Sequence, residues 1–244
     1  MINQFKFSII KTHLISKPRF FRALAGLVLL LFLGFSLSTC EGGLLSKSKE
    51  EGEIEFETKG VDPSHPLYGF APSSALMKFK GEKVAIEMSI MGMFNTTILA
   101  DNKKKTMAQT VKFLDIKQAC IEKEPEILAE NAKYELNIEE TSDTKEILGF
   151  KCHRLIVSRK DDPAKKFDAW YTTELGNEDS NLLTPYAGIK GMLLDYRVER
   201  MGMELHFLAK SFNPVQVPDK AFEIPASMKI VTRAEMEKFI EDLQ

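Results

Sequence analysis

From Gly52 onward, hydrophobic and polar residues alternate with period two, and this pattern restricts the chain to sheet. Glu53-Ile54-Glu55-Phe56-Glu57 sets acid against hydrophobe. Val84, Ile86, Met88 and Ile90 share one parity, with Glu87 and Ser89 on the other. Tyr134, Leu136 and Ile138 oppose Glu135, Asn137 and Glu139. Met192, Leu194, Tyr196 and Val198 oppose Asp195, Arg197 and Glu199, and Met203, Leu205, Phe207 and Ala209 oppose Glu204, His206 and Lys210. Such alternation marks antiparallel sheet with one solvated face. Turn residues separate the runs: Lys80-Gly81-Glu82, Asp101-Asn102-Lys103 and Gly202. The expectation is a mainly β fold, an antiparallel meander forming a sandwich or a barrel. No long helical patterns alternate with the strands, so a parallel α/β sheet is disfavoured.

Two segments break the rhythm. Val61–Ser74 carries Pro63, Pro66, Gly69 and Pro72, and Gly176–Lys190 carries Asn177, Asn181, Pro185 and Gly188. Both read as long loops, which in compact domains are functional or mobile. Ile116, Ala119 and Cys120 have helical spacing until Pro125. Thr232-Arg233-Ala234-Glu235 is a capping box, opening a C-terminal helix through Leu243 with Met236, Phe239, Ile240 and Leu243 on one stripe. There is no internal repeat.

The first forty residues have a different character. Lys6, Lys11, Lys17, Arg19 and Arg22 precede an uncharged run from Ala23 to Phe35, then Leu37-Ser38-Thr39-Cys40. A basic leader, a short apolar core and small residues before a cut describe an export signal. Its end resembles the lipobox of bacterial lipoproteins, which implies a diacylglyceryl thioether on Cys40 and a signal peptide over 1–39. Thr39 departs from the usual Gly, Ala or Ser, and the leader is long. An uncleaved anchor needs about 20 apolar residues, against about fifteen here. That anchor and a soluble exported form are the alternatives, and all three export the body. Residues 40–51 are rich in Gly, Ser and charge and read as a flexible tether. The domain is expected over 52–231 and the terminal helix over 232–244.

Removing 1–39 leaves 244 − 39 = 205 residues, the size of one domain. It also removes five basic and no acidic residues, so the net charge moves from −2 to −2 − 5 = −7. That balance argues against nucleic acid as a partner and against adhesion to anionic headgroups. With Cys40 lipidated, Cys120 and Cys152 remain. In an oxidising compartment they form either a bridge or two separate buried thiols.

Chemistry-bearing motifs are scarce. No Gly-x-Ser-x-Gly elbow, phosphate loop or His-Glu-x-x-His is present. Cys152 and His153 are adjacent in a strand and point to opposite faces, so no metal site is expected. His65 lies in the Pro-rich loop, and His206 sits on the polar parity of its strand and reads as a solvated residue. Asp161-Asp162-Pro163 reads as a turn. No catalytic residue and no cofactor is assigned. The methionines are the odd feature: Met88, Met91, Met93, Met107, Met192, Met201 and Met203 lie in or near strands. They are either core filler or the lining of an adaptable apolar cavity. The candidate lining is Ile86, Met88, Ile90, Leu194, Tyr196, Leu205 and Phe207.

Thr144-Lys145-Glu146-Ile147-Leu148-Gly149-Phe150-Lys151-Cys152-His153-Arg154 resembles a segment of a family of uncharacterised envelope lipoproteins. Trp170-Tyr171-Thr172, Gly191–Tyr196 and Phe222-Glu223-Ile224-Pro225 follow in the order that family shows. The resemblance covers roughly Gly52 to Met228. The family is a domain of unknown function grouped with the LolA/LolB-like lipoprotein carriers. It implies an incomplete, half-open antiparallel barrel with a few short helices and an apolar concavity. It transfers no catalytic residues, and no carrier-specific residues are matched here.

The expectation is a lipid-anchored envelope protein, facing the periplasm or the surface, at the outer rather than the inner membrane. It is non-enzymatic and binds an acyl chain or a lipoprotein tail. The alternative is a structural or protein-interaction lipoprotein with a filled core, and a hydrolase is a third class. A connected apolar cavity of roughly 300 Å³ or more marks the binder, a filled interior marks the structural protein, and converging buried titratable groups mark the enzyme.

Overall fold

The computed structural model describes residues 49–90, 92–200 and 202–242. The segments expected to be an export signal and most of a tether, with Cys40, and Met91, Met201 and Leu243 lie outside the described residues. The chain divides into two units, Met1–Ser46 and Lys47–Gln244, and the second holds all the elements below.

Six strands come first: β1 (Glu51–Gly60), β2 (Ser74–Lys80), β3 (Lys83–Ile90), β4 (Phe94–Asp101), β5 (Thr106–Phe113) and β6 (Ile116–Lys123). Helix α1 (Glu124–Asn131) leads to β7 (Leu136–Ile147), β8 (Phe150–Arg159), β9 (Lys166–Thr172), β10 (Met192–Arg200) and β11 (Met203–Asn213). The short β12 (Lys229–Ile230) and helix α2 (Arg233–Glu241) complete the chain. The strands form one twelve-stranded sheet in the order β12-β6-β5-β4-β3-β2-β1-β11-β10-β9-β8-β7. All pairs are antiparallel except β12 with β6. The mainly antiparallel β expectation holds. The sheet is not closed into a barrel: β12 and β7 are its edges.

Two meanders, β1–β6 and β7–β11, are joined by one seam between β1 and β11. Register carries the alternation across strands. Ala209, Phe56, Ala75, Met88, Thr96, Val111 and Gln118 stand opposite one another in turn across seven strands. The main core lies on this face, with Ile54, Phe56, Phe79, Leu194, Leu205 and Phe207 buried in it. Phe56 meets Tyr196 and Phe207 edge-on, and Tyr196 stacks on Phe207 with centroids 5.0 Å apart. Such aromatic contacts add to burial.

After β11 the chain crosses the other face, where Phe222 and Ile224 pack on Ala85, Leu99 and Ala108. Helix α2 packs Met236, Phe239 and Ile240 against Val111 and Cys120. Its expected capping box is present: the Glu235 N–H donates to Thr232 Oγ1 at 3.2 Å, and the Thr232 N–H donates to Glu235 Oε2 at 2.8 Å. Gly149 at φ +82° turns the chain into β8.

Two local expectations are corrected. Residues 116–123 form strand β6, not a helix, paired along its length with β5. Adjacent Ala119 and Cys120 are both buried, so the alternation is lost and the helical spacing is a coincidence of burial on both faces. Tyr134 falls in a 3-10 turn before β7 rather than in the strand.

Candidate functional site

The hollow against the core face is closed by the loop between β9 and β10, residues 173–191. Gly191, at φ +124°, lets this loop rejoin the sheet, since a Cβ there would collide with the Thr172 carbonyl. Within the loop, Asn181 Nδ2 donates to the Ile189 and Gly191 carbonyls at 2.9 and 2.8 Å, and Thr184 Oγ1 donates to the Asn181 carbonyl. These bonds make the loop a preformed unit. It is tied to the sheet by Asn102 Nδ2 to the Asp179 carbonyl at 2.7 Å and by Asn177 Nδ2 to the Gly81 carbonyl. Leu183 and Tyr186 point into the hollow, Tyr186 with no exposed surface.

What remains beneath the loop is a cavity of about 50 Å³. Met77, Ile86, Ile98 and Met107 form one wall, and Tyr196, Val198 and Arg200 the other. This volume is well below what a drug-sized or acyl ligand needs. Of the expected lining, Ile86 and Tyr196 face the cavity, whereas Met88, Ile90, Leu194, Leu205 and Phe207 are packed in the core. The methionines divide: Met107 and Met192 line the cavity, Met88 and Met203 are core, and Met93 is exposed. Met77, not singled out from the sequence, belongs with the cavity methionines.

Arg200 was also missed, although the parity of Leu194, Tyr196 and Val198 runs on to it. Its Nη1 donates to the Glu199 carbonyl at 3.0 Å. Burial pushes its pKa below the usual arginine value.

A second cluster lies on the polar parity. Asp195 Oδ1 is 2.7 Å from His206 Nε2, and Asp195 Oδ2 accepts from Lys145 Nζ at 3.2 Å. Lys145 Nζ also sits 4.1 Å from the centre of the Trp170 ring. Burial alone would raise the Asp195 pKa, but the bonds from His206 and Lys145 outweigh it and hold it below the usual carboxylate value. His206 is therefore paired, and its side chain is only 22% exposed, not the solvated residue its parity suggests. No hydroxyl or thiol bonds to His206 among the described residues, so the cluster is an ion-pair network without a nucleophile.

Cys120 and Cys152 are both free and buried, in separate core clusters, so the structure does not bring them together. Burial pushes the Cys152 thiol up to about 11 and raises that of Cys120. His153 lies 5.6 Å from Tyr171, ring to ring. His65 Nδ1 accepts from the Leu67 N–H, inside the Pro-rich loop. Asp161 accepts from Arg159 in the turn between β8 and β9. Among the described residues no group of His, Cys, Asp and Glu is placed to hold a metal, and no helix is long and apolar enough to cross a membrane.

No protein-family profile matches the chain, and no curated protein matches it. Among solved structures the chain is similar to PNGF-II, in a structure of that protein in the C2 space group, with TM-score 0.49 and 16% identity. The match covers 78% of this chain and 32% of that one.

Proposed function

We propose that this chain is a lipid-anchored cell-envelope protein that binds an apolar ligand, an acyl chain or a lipoprotein tail, without enzymatic activity. In this reading the open sheet is the half-open barrel of LolA/LolB-like carriers. Lipid on Cys40 holds it at the outer membrane, facing the periplasm. The observation that supports the reading is that the apolar hollow is filled by a separable, self-bonded loop rather than by strand side chains alone, so the interior, filled as it stands, opens to a ligand only when Leu183 and Tyr186 withdraw. Withdrawing Leu183, Tyr186 and Ile189 costs roughly 5–9 kcal/mol of burial, at about 1.5–3 each. A chain of about fourteen carbons returns roughly 11 kcal/mol at about 0.8 per CH2. The return grows with chain length, so a long acyl chain offsets more of this cost than a short one. The methionine walls suit varied chains.

The cavity of about 50 Å³ favours a second reading, in which the loop is permanent core and the protein acts as a structural or protein-interaction lipoprotein. Native mass spectrometry of the purified protein separates the two. A retained amphiphile, together with altered hydrogen exchange of amides 173–191 on delipidation, is expected for the binder. No retained amphiphile and unchanged exchange leave the structural reading. Palmitate labelling that persists in Cys40→Ser overturns the anchor.

A further inference from the structure

Arg200 ends β10 on the face of the hollow, and it is the sole charged side chain lining the cavity among the described residues. Every other described arginine has a partner for its charge. Arg154 pairs with Asp143 and Asp168, Arg159 with Asp161 and Glu199, and Arg233 with Glu122. Arg197 lies 4.7 Å over the Phe167 ring. Among the described residues, Arg200 has only a backbone carbonyl as partner, at 3.0 Å. A half-buried cation with no counter-charge is costly unless something supplies that charge. Glu130 and Glu122 act on it only through space, and Arg233 opposes it.

Its position is equally specific. Met107 lines the cavity, and Gln109, two residues on along β5, lines a groove of about 460 Å³ beside helix α2. Glu199, Gly202 and Arg233 line the same groove. Glu130, Glu237 and Glu241 also line that groove and Arg200 does not, so the guanidinium belongs to the closed hollow rather than to the acidic groove.

We propose that Arg200 is the anion anchor of the hollow. The ligand is then a single-chain amphiphile with an anionic head, carboxylate or phosphate, bound by the guanidinium within the hollow with its tail under the 173–191 loop. The proposal rests on the binding reading above and adds the class of ligand. The guanidinium fork matches either head group in two parallel hydrogen bonds. The acidity of the body leaves Arg200 as a local rather than a global attraction.

The test uses the full-length chain in phospholipid nanodiscs, photolabelled with a diazirine-bearing palmitic acid or its methyl ester. The acid is expected to label peptides containing Leu183 and Tyr196 about ten-fold or more above the ester, the range for a hydrogen bond to a charged group. Arg200→Met should bring the acid down to the ester's level, and Arg200→Lys should keep part of the difference, which guards against a folding defect. Competition by dodecanoic acid against dodecyl phosphate assigns the head group. Equal labelling by acid and ester in the wild type, or no effect of Arg200→Met, overturns the anchor alone. Labelling of the hollow by neither probe overturns the binding reading and the anchor with it.

Discussion

Tyr186 of the β9–β10 loop meets Tyr196 of β10 edge-on, with ring centroids 6.1 Å apart. Its hydroxyl donates to the Arg197 carbonyl at 2.7 Å. Beside the hydrogen bonds at Asn102 and Asn177, the loop is thus fixed to the sheet by a deep aromatic contact with a satisfied polar end. Tyr186→Phe should cost about 1 kcal/mol, the worth of one hydrogen bond. Tyr186→Ala should cost about 3–5 kcal/mol, as large buried aromatics do. Urea unfolding measures both, and an Ala variant within 1 kcal/mol of wild type would show that the loop is not part of the core.

Glu122, buried on β6, is bonded by Arg233 of helix α2: Arg233 Nε donates at 2.9 Å to Oε1, and Nη2 pairs with Oε2. Arg233 Nη1 also donates to Gln109 Oε1. Breaking such a pair from one side strands the other charge. We expect Arg233→Met to destabilise by about 3 kcal/mol, with Glu122→Leu/Arg233→Met recovering most of the loss. A double variant no more stable than the single one would refute this account of the helix attachment.

Cys120 and Cys152 should both alkylate in denaturant without reductant, and neither should react readily in the native state at pH 8. Burial both hides the sulfurs and disfavours the thiolate, with Cys152 titrating near 11. Mass spectrometry after iodoacetamide treatment reads this directly. A mass lacking both adducts in unreduced, denatured protein would mean a bridge and a different core.

The Asp195 carboxyl has a folded pKa below its ordinary value. The unfolded carboxyl titrates near 3.9. A depressed folded pKa therefore contributes stability above about pH 4, and that contribution is lost as pH falls through the lower folded value. Asp195→Asn should destabilise by about 1–3 kcal/mol at pH 7, and the difference from wild type should shrink below about pH 4. A pH-independent difference would assign the effect to packing rather than charge.

Much of the sheet is legible in the sequence. Strands β1, β3, β10 and β11 are legible because most of their large apolar residues share the parity that meets the core, although Ala85 of β3 is buried on the other face. Strand β6 does not, because burial on both faces erases the period. The loop at 176–190 is announced by its Pro, Gly and Asn. That Leu183 and Tyr186 enter the hollow is not announced, since nothing periodic places a loop side chain. Arg200 was readable as a charge on an apolar parity, whereas the pairing of His206 with Asp195 needs the register of β10 on β11, which no local pattern supplies.

The single seam between β1 and β11 has a bearing on how the protein is made. Glu53 lies opposite Asn213, so the first strand waits for nearly the whole chain before its second edge is paired. Hairpins β2–β3 and β4–β5 close locally and fast, but the seam is a long-range pairing and slow. During synthesis, the β1–β6 meander emerges first with β1 as a free edge. A chain truncated before Met203 would keep that edge permanently and invite pairing with other chains.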